Sequence, residues 1–195
     1  MSANTASSQL LRLSRALQES LELSIDVNAD AERLAELASQ VEALNDQLSA
    51  HQGEKIMPYF NMEFGDELRE ALPYGPATGR YNAYSPDMEV VVENDRVVSD
   101  ICFGKRHEGP PNSVHGGVTS LVFDQLLAFA CLRNGTPGYT ASLKVNYRRP
   151  VPLYKTLRFD TWLEDIGERK IIAHGECRDG DDVLASSEGL FIRIV

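Results

Sequence analysis

The stretch from His115 to Gly135 constrains the chain more than any other. A His115-Gly116-Gly117 turn runs into about 20 residues of helical pattern that stop at Asn134-Gly135, residue types that accept a left-handed helix end. Val118, Leu121, Val122, Phe123, Leu126, Leu127, Phe129 and Ala130 leave this helix almost no polar side. Such a helix belongs in the middle of a fold, with other elements around it. One acid, Asp124, interrupts it. Gly117, Ser120, Asp124, Ala128 and Cys131 follow steps of three and four, so they share one face, and every neighbour of the acid there is small. Either a ligand or a second helix packs closely against that lane. A buried Asp also fits a structural role, paired by hydrogen bonds inside a core. The two glycines add a second possibility. They open backbone N–H groups at the positive end of the helix dipole to a ligand. A donor site for a developing oxyanion beside a buried carboxylate is the equipment of acyl transfer.

The remaining elements surround this helix. Met88–Val92 and Arg96–Phe103 alternate as strands about an Asn94-Asp95 turn. After the helix, Tyr139–Arg148, Leu157–Leu163, Lys170–Arg178 and Val183–Ile194 read as strands, the last two joined by Asp179-Gly180, a good hairpin signal. One helix followed by linked strands implies an α+β fold with an antiparallel sheet. The organisation expected is an N-terminal helical extension over 1–55, a Pro- and Tyr-rich connecting segment over 56–87, and a main domain over 88–195. In the extension a small, polar tip over 1–9 is expected to be disordered. Leu10, Leu13, Leu17 and Leu21 mark one helix. Asn28 or Asp30 caps a second, whose Leu34, Leu37, Val41, Leu44 and Leu48 form a short heptad seam. The pair fits a hairpin packed on itself or on the main domain, or else an oligomerisation arm. The tyrosines and phenylalanines of the connecting segment suit a packed cover better than an acyl pocket.

With 195 residues, 43% of them hydrophobic, the chain can build one substantial core. A net charge of −10 argues against nucleic acid or an anionic membrane as partner. Cys102, Cys131 and Cys177 form no C-x-x-C pair and no cluster with histidine, so no metal site is expected, and free thiols fit a reducing, cytoplasmic setting. No signal peptide and no apolar run of membrane-spanning length is evident.

Glu108-Gly109-Pro110-Pro111, His115-Gly116-Gly117, Asp124, Thr140-Ala141-Ser142-Leu143 and Asn146-Tyr147-Arg148-Arg149-Pro150-Val151-Pro152-Leu153 resemble the hotdog-fold acyl-CoA thioesterases, in their phenylacetyl-CoA-type branch. The resemblance covers about residues 86–195. It implies a six-stranded antiparallel sheet wrapped around the central helix, a homodimer or dimer of dimers, and hydrolysis of acyl-CoA to free acid and coenzyme A. It implies no cofactor beyond the coenzyme A of the substrate. On this reading Asp124 is the general base or the nucleophile, and the Gly116 N–H is the oxyanion donor. His115 shapes the turn, and Thr140 positions the water. Gly117, Asn146, Arg148, Arg149 and Pro150 belong to the substrate- and coenzyme-binding surface. Lys144, Arg148, Arg149, Lys155 and Arg158 concentrate positive charge in an acidic chain, and arginine suits phosphate. Strict strand alternation, however, puts Thr140 on the polar face with Lys144 and Arg148, away from the helix. A bulge or a partner chain would reconcile the two.

Two other functions share these features. A hotdog dehydratase or hydratase needs a histidine beside the acid, and His107 is the nearest candidate. A non-catalytic acyl-CoA-binding protein with a DNA-binding arm is disfavoured by the acidic N-terminal helices.

Overall fold

A computed structural model describes residues 5–65 and 67–194. Helices α1 (Ala6–Ile25) and α2 (Ala31–Ser49) come first, and strands β1 (Asp87–Glu93) and β2 (Arg96–Cys102) follow the connecting segment. The central helix α3 (Gly116–Arg133) then leads to β3 (Gly138–Tyr147), β4 (Thr156–Ile166), β5 (Lys170–Asp179) and β6 (Asp182–Arg193). The strands form one antiparallel sheet in the order β1-β2-β4-β5-β6-β3. The chain leaves β2, crosses the sheet as α3 and returns as β3 on the far edge. The sheet therefore curves round the helix, and α3 touches β2, β3, β4, β5 and β6. This is the hotdog arrangement.

The all-round apolar pattern of α3 is satisfied by that enclosure. Val122, Phe123, Leu126, Leu127, Phe129 and Ala130 are fully buried. Each large side chain so enclosed contributes roughly 1.5–3 kcal/mol. Phe123 meets Phe159 edge-on at 5.1 Å between ring centroids. Two strand glycines let the helix come this close. A Cβ on Gly175 would lie 3.1 Å from the Phe123 ring, and one on Gly189 would lie 2.9 Å from a Leu127 methyl.

The connecting segment packs as a cover. Leu68 and Ala71 enter the core, with Phe64 and Leu72 against it. Its tyrosines instead meet one another, Tyr59 stacked on Tyr74 at 6.3 Å and Tyr81 tilted against Tyr74 at 5.7 Å. Arg69 ties the segment to β1, donating from Nε to the Thr78 carbonyl and from Nη1 to the Met88 carbonyl, both at 2.7 Å. Burial, reinforced by the charge of Arg80, pushes its guanidinium down to about 10, so it remains a cation at neutral pH.

Of the two expected packings, α1 lies on the main domain, whereas α2 buries no residue. Helix α1 begins at Ala6 rather than Leu10, because Thr5 caps it by accepting the Ser8 N–H at 3.2 Å. Residues 1–4 of the polar tip lie outside the described residues. Glu22 anchors α1 to the main domain. Its carboxylate accepts the Lys105 N–H, the Arg106 N–H at 3.3 Å, the Arg106 guanidinium at 3.0 Å and the Tyr154 hydroxyl at 3.0 Å. Burial opposes its ionisation, but these donors hold it below the usual carboxylate range. Helix α2 is capped by Asp30, which accepts the Arg33 N–H at 2.8 Å. It buries no residue, and Leu34 and Val41 of its seam are exposed.

His107, one turn before the central helix, is 1% exposed, between the rings of Tyr84 and Phe103. Its Nε2 donates to the Tyr84 carbonyl at 2.9 Å, which leaves Nδ1 without a partner among the described residues. Burial lowers its pKa. The unfolded chain therefore binds the proton first as pH falls, so stability is full above about pH 6.5 and declines below it. Between pH 7.5 and 5.5 the urea midpoint should fall, by up to about 1.4 kcal/mol of stability per pH unit. In His107→Gln the decline over this window should shrink, and an unchanged decline would assign it to other groups.

Candidate active site

The start of α3 is organised by its cap. His115 has φ −59° and ψ 132°, and its Nδ1 accepts the Gly117 N–H at 2.9 Å. The His115 carbonyl takes the Val118 and Thr119 N–H groups at 2.9 and 3.2 Å. The ring is exposed, while the backbone is pinned by the His115 N–H donating to the His107 carbonyl at 2.8 Å. Of the first helical amides only that of Gly116 has no acceptor among the described residues. It sits at the positive end of the dipole, a ready donor for an anionic oxygen.

Two turns further along, Asp124 is half-buried, and its Oδ1 accepts the Thr140 hydroxyl at 2.8 Å. The strand-alternation conflict resolves here through a bulge. Thr140 pairs with Phe191, but the next pair is Ser142 with Leu190, so Ala141 is an extra residue. Before the bulge Thr140 shares the inner face with buried Phe191. After it, Leu143, Val145 and Tyr147 do, opposite Gly189, Ser187 and Ala185. One inserted residue thus aims both Thr140 and the odd-numbered apolar positions at the helix.

The lane around Asp124 stays partly open at Gly117, Ser120 and Ala128. Cys131 departs from it. The sheet covers that end of α3, and Cys131 is fully buried with Leu127, Ile171, Ala173 and Phe191. Burial pushes the Cys131 and Cys177 thiols up to about 12, so neither offers a thiolate nucleophile. No group of three His, Cys, Asp or Glu side chains placed to hold a metal occurs among the described residues. His107, the acid–base partner that a dehydratase reading requires, is spent on the Tyr84 carbonyl inside the core.

The basic residues do not converge on one point. Arg149 is paired with Asp182 at 2.6 Å, Lys155 with Asp179 at 2.5 Å, and Arg158 with Glu93 at 2.6 Å. Arg148 has no ion pair among the described residues. With Asn146 it lines a shallow cavity of about 220 Å³ beside Trp162, His174 and Glu188, on the face of the sheet turned away from α3. Pro150 is exposed in the β3–β4 connection.

Two residues at this site received no role from their types and spacing, Ser120 of the small-residue lane and Tyr147 of the Asn146–Pro150 stretch. The Tyr147 hydroxyl donates to the Gly116 carbonyl at 2.5 Å, and Ser120 Oγ lies 2.7 Å from the same hydroxyl. Tyr147 reads along the strand as one more apolar-side residue. The available signal was a phenol on the helix-facing side of the sheet, level with a Gly-Gly turn.

Residues 111–186 match the model of the thioesterase superfamily. Acyl-coenzyme A thioesterase THEM4 of Xenopus laevis is 32% identical over 89 residues, which cover 45% of this chain and 40% of that protein. Acyl-coenzyme A thioesterase THEM5 of Homo sapiens is 30% identical over 95 residues, covering 47% and 38%. The chain thus spans about two fifths of the length of these curated relatives. A crystal structure of a thioesterase superfamily protein superposes with a TM-score of 0.84 at 28% identity, covering 94% of each chain, a share that takes in the N-terminal helices.

Proposed function

We propose that this chain, whose residues 111–186 match the thioesterase superfamily, hydrolyses an acyl-CoA thioester to the free acid and coenzyme A. The observation that carries this reading is the Asp124–Thr140 pair on a helix whose first amide has no acceptor among the described residues. Asp124 takes a proton from water as the water oxygen attacks the thioester carbonyl. Thr140, donating to one carboxylate oxygen, fixes the Asp124 rotamer and presents its own lone pair to that water. The carbonyl oxygen becomes an oxyanion and is met by the Gly116 N–H. Collapse breaks the carbon–sulfur bond, and the proton held by Asp124 goes to the departing thiolate. Asp124 as nucleophile would instead form a mixed anhydride, which water then opens.

Gly116 and Asp124 are eight residues apart, roughly 12 Å along the helix axis at 1.5 Å per residue. One thioester carbonyl needs both within a few ångströms. The proposed unit is therefore a homodimer in which two α3 helices lie antiparallel, Gly116 of one beside Asp124 of the other. The partly open lane of small residues and the unpaired edge of β3 support this reading. For the coenzyme's phosphates, Arg148 is the proposed contact, since Arg149 is already tied to Asp182.

In this account Asp124→Asn keeps the fold and lowers kcat by at least ~10²-fold, the low end for a positioned base. Thiol release measured over acetyl, medium-chain, long-chain and aryl acyl-CoAs tests both the activity and the loss. A folded Asp124→Asn protein with near-normal turnover would remove Asp124 from the mechanism. Arg148→Ala should raise KM for acyl-CoA by ~10-fold, the scale of a hydrogen bond to a charged group, with little change in kcat. The effect should vanish on a pantetheine thioester, which lacks the nucleotide, and an equal loss on both substrates would exclude a phosphate contact.

A further inference from the structure

We propose that Tyr147 is a positioning residue of the hydrolytic site: its hydroxyl clamps the first turn of α3 and holds the Gly116 amide in place for the oxyanion. This inference rests on the proposed hydrolysis. A helix that opens with two glycines has a poorly held first turn, because glycine is the weakest helix former after proline and the first amides lack helical partners. Two side chains from outside the helical turn hold this one. The Tyr147 hydroxyl donates to the Gly116 carbonyl at 2.5 Å, and His115 Nδ1 accepts the Gly117 N–H at 2.9 Å. These are the two ends of a single peptide group, so that peptide is gripped on both sides. The preceding amide, the Gly116 N–H, is left without an acceptor among the described residues and in a fixed direction.

The direction of the clamp is set as well. With the Tyr147 proton committed to the carbonyl, the Ser120 hydroxyl 2.7 Å away donates to the phenol oxygen. The strand end that carries Tyr147 is pinned in turn, because the Arg148 and Arg149 N–H groups both donate to the Leu184 carbonyl, at 2.8 and 3.1 Å. Gly116 leaves room for this contact. A Cβ there would stand 3.3 Å from the phenol oxygen, tight enough to push the hydroxyl aside. Tyr147 itself is 50% exposed, so its hydroxyl contacts, rather than burial of its ring, account for its place. The same grip orders His115. A neutral imidazole accepting at Nδ1 carries its proton on Nε2, and that N–H points outward from an exposed ring.

The test is Tyr147→Phe, which keeps the ring and removes only the hydroxyl, with Ser120→Ala as a milder second variant. Tyr147→Phe should lower kcat about 5- to 10-fold, the effect of one hydrogen bond, and leave KM within about twofold. Amide exchange at Gly117, followed by NMR, should accelerate by a similar factor, while the melting temperature stays near that of the wild type. Ser120→Ala should show the same pattern at smaller amplitude. An unchanged kcat in Tyr147→Phe, or unchanged Gly117 exchange, would overturn the inference. If the wild type hydrolyses no acyl-CoA, the oxyanion role falls with the proposed function, and Gly117 exchange still decides whether the clamp exists.

Discussion

The burial of a helix with almost no polar side is the constraint on which the rest of this structure depends. Helix α3 is stable only where a sheet can close round it, and the sheet can close only where strand side chains leave room. Gly175 and Gly189 supply that room beside Phe123 and Leu127. Within so apolar a surrounding one carboxylate needs a partner, and the Thr140 hydroxyl at 2.8 Å is that partner. The partner reaches Asp124 because β3 gains one residue between Thr140 and Ser142. Packing and chemistry therefore meet in the same bulge. Removing it would keep either Thr140 or the Leu143–Val145–Tyr147 series on the inner face, but not both.

Much of this was legible in the residues. The central helix, its caps at His115 and Asn134, the Asp179-Gly180 hairpin and the placing of Asp124 follow from periodicity and turn chemistry. The bulge was legible only as a contradiction, since alternation sent Thr140 away from the helix it serves. A strand's own sequence records its alternation, whereas an inserted residue is fixed by the register of the strand it pairs with. Tyr147 was hidden for a related reason. Its role depends on which helix end lies across from it, and no local pattern carries that. Adjacency in sequence did not show how the cations separate in space, with Arg148 on the outer face of the sheet and Arg149 in an exposed ion pair with Asp182.

The N-terminal helices illustrate how an amphipathic pattern underdetermines a contact. Helix α2 forms from the Asp30 cap that its sequence offers, whereas α1 starts one turn earlier than its leucine spacing indicates, at the Thr5 cap. The leucine spacing of α1 does not announce Glu22, yet that carboxylate gathers two backbone amides, a guanidinium and a phenol and fixes the helix to the domain. The heptad seam of α2 forms as a helix and stays on the surface.

In the proposed function, one hydrolytic centre takes its oxyanion donor and its base from two copies of α3. Gly116→Pro removes the donor with little backbone cost, since proline suits the first helical position and His115, at ψ 132°, already has the conformation that precedes proline. Mixing this variant with Asp124→Ala under subunit exchange gives about half hybrid dimers, each with one intact site and one doubly defective site. The two-chain site predicts that activity, absent from either variant alone, returns to about a quarter of the wild-type level. Hybrid dimers that demonstrably form and remain inactive would contradict it.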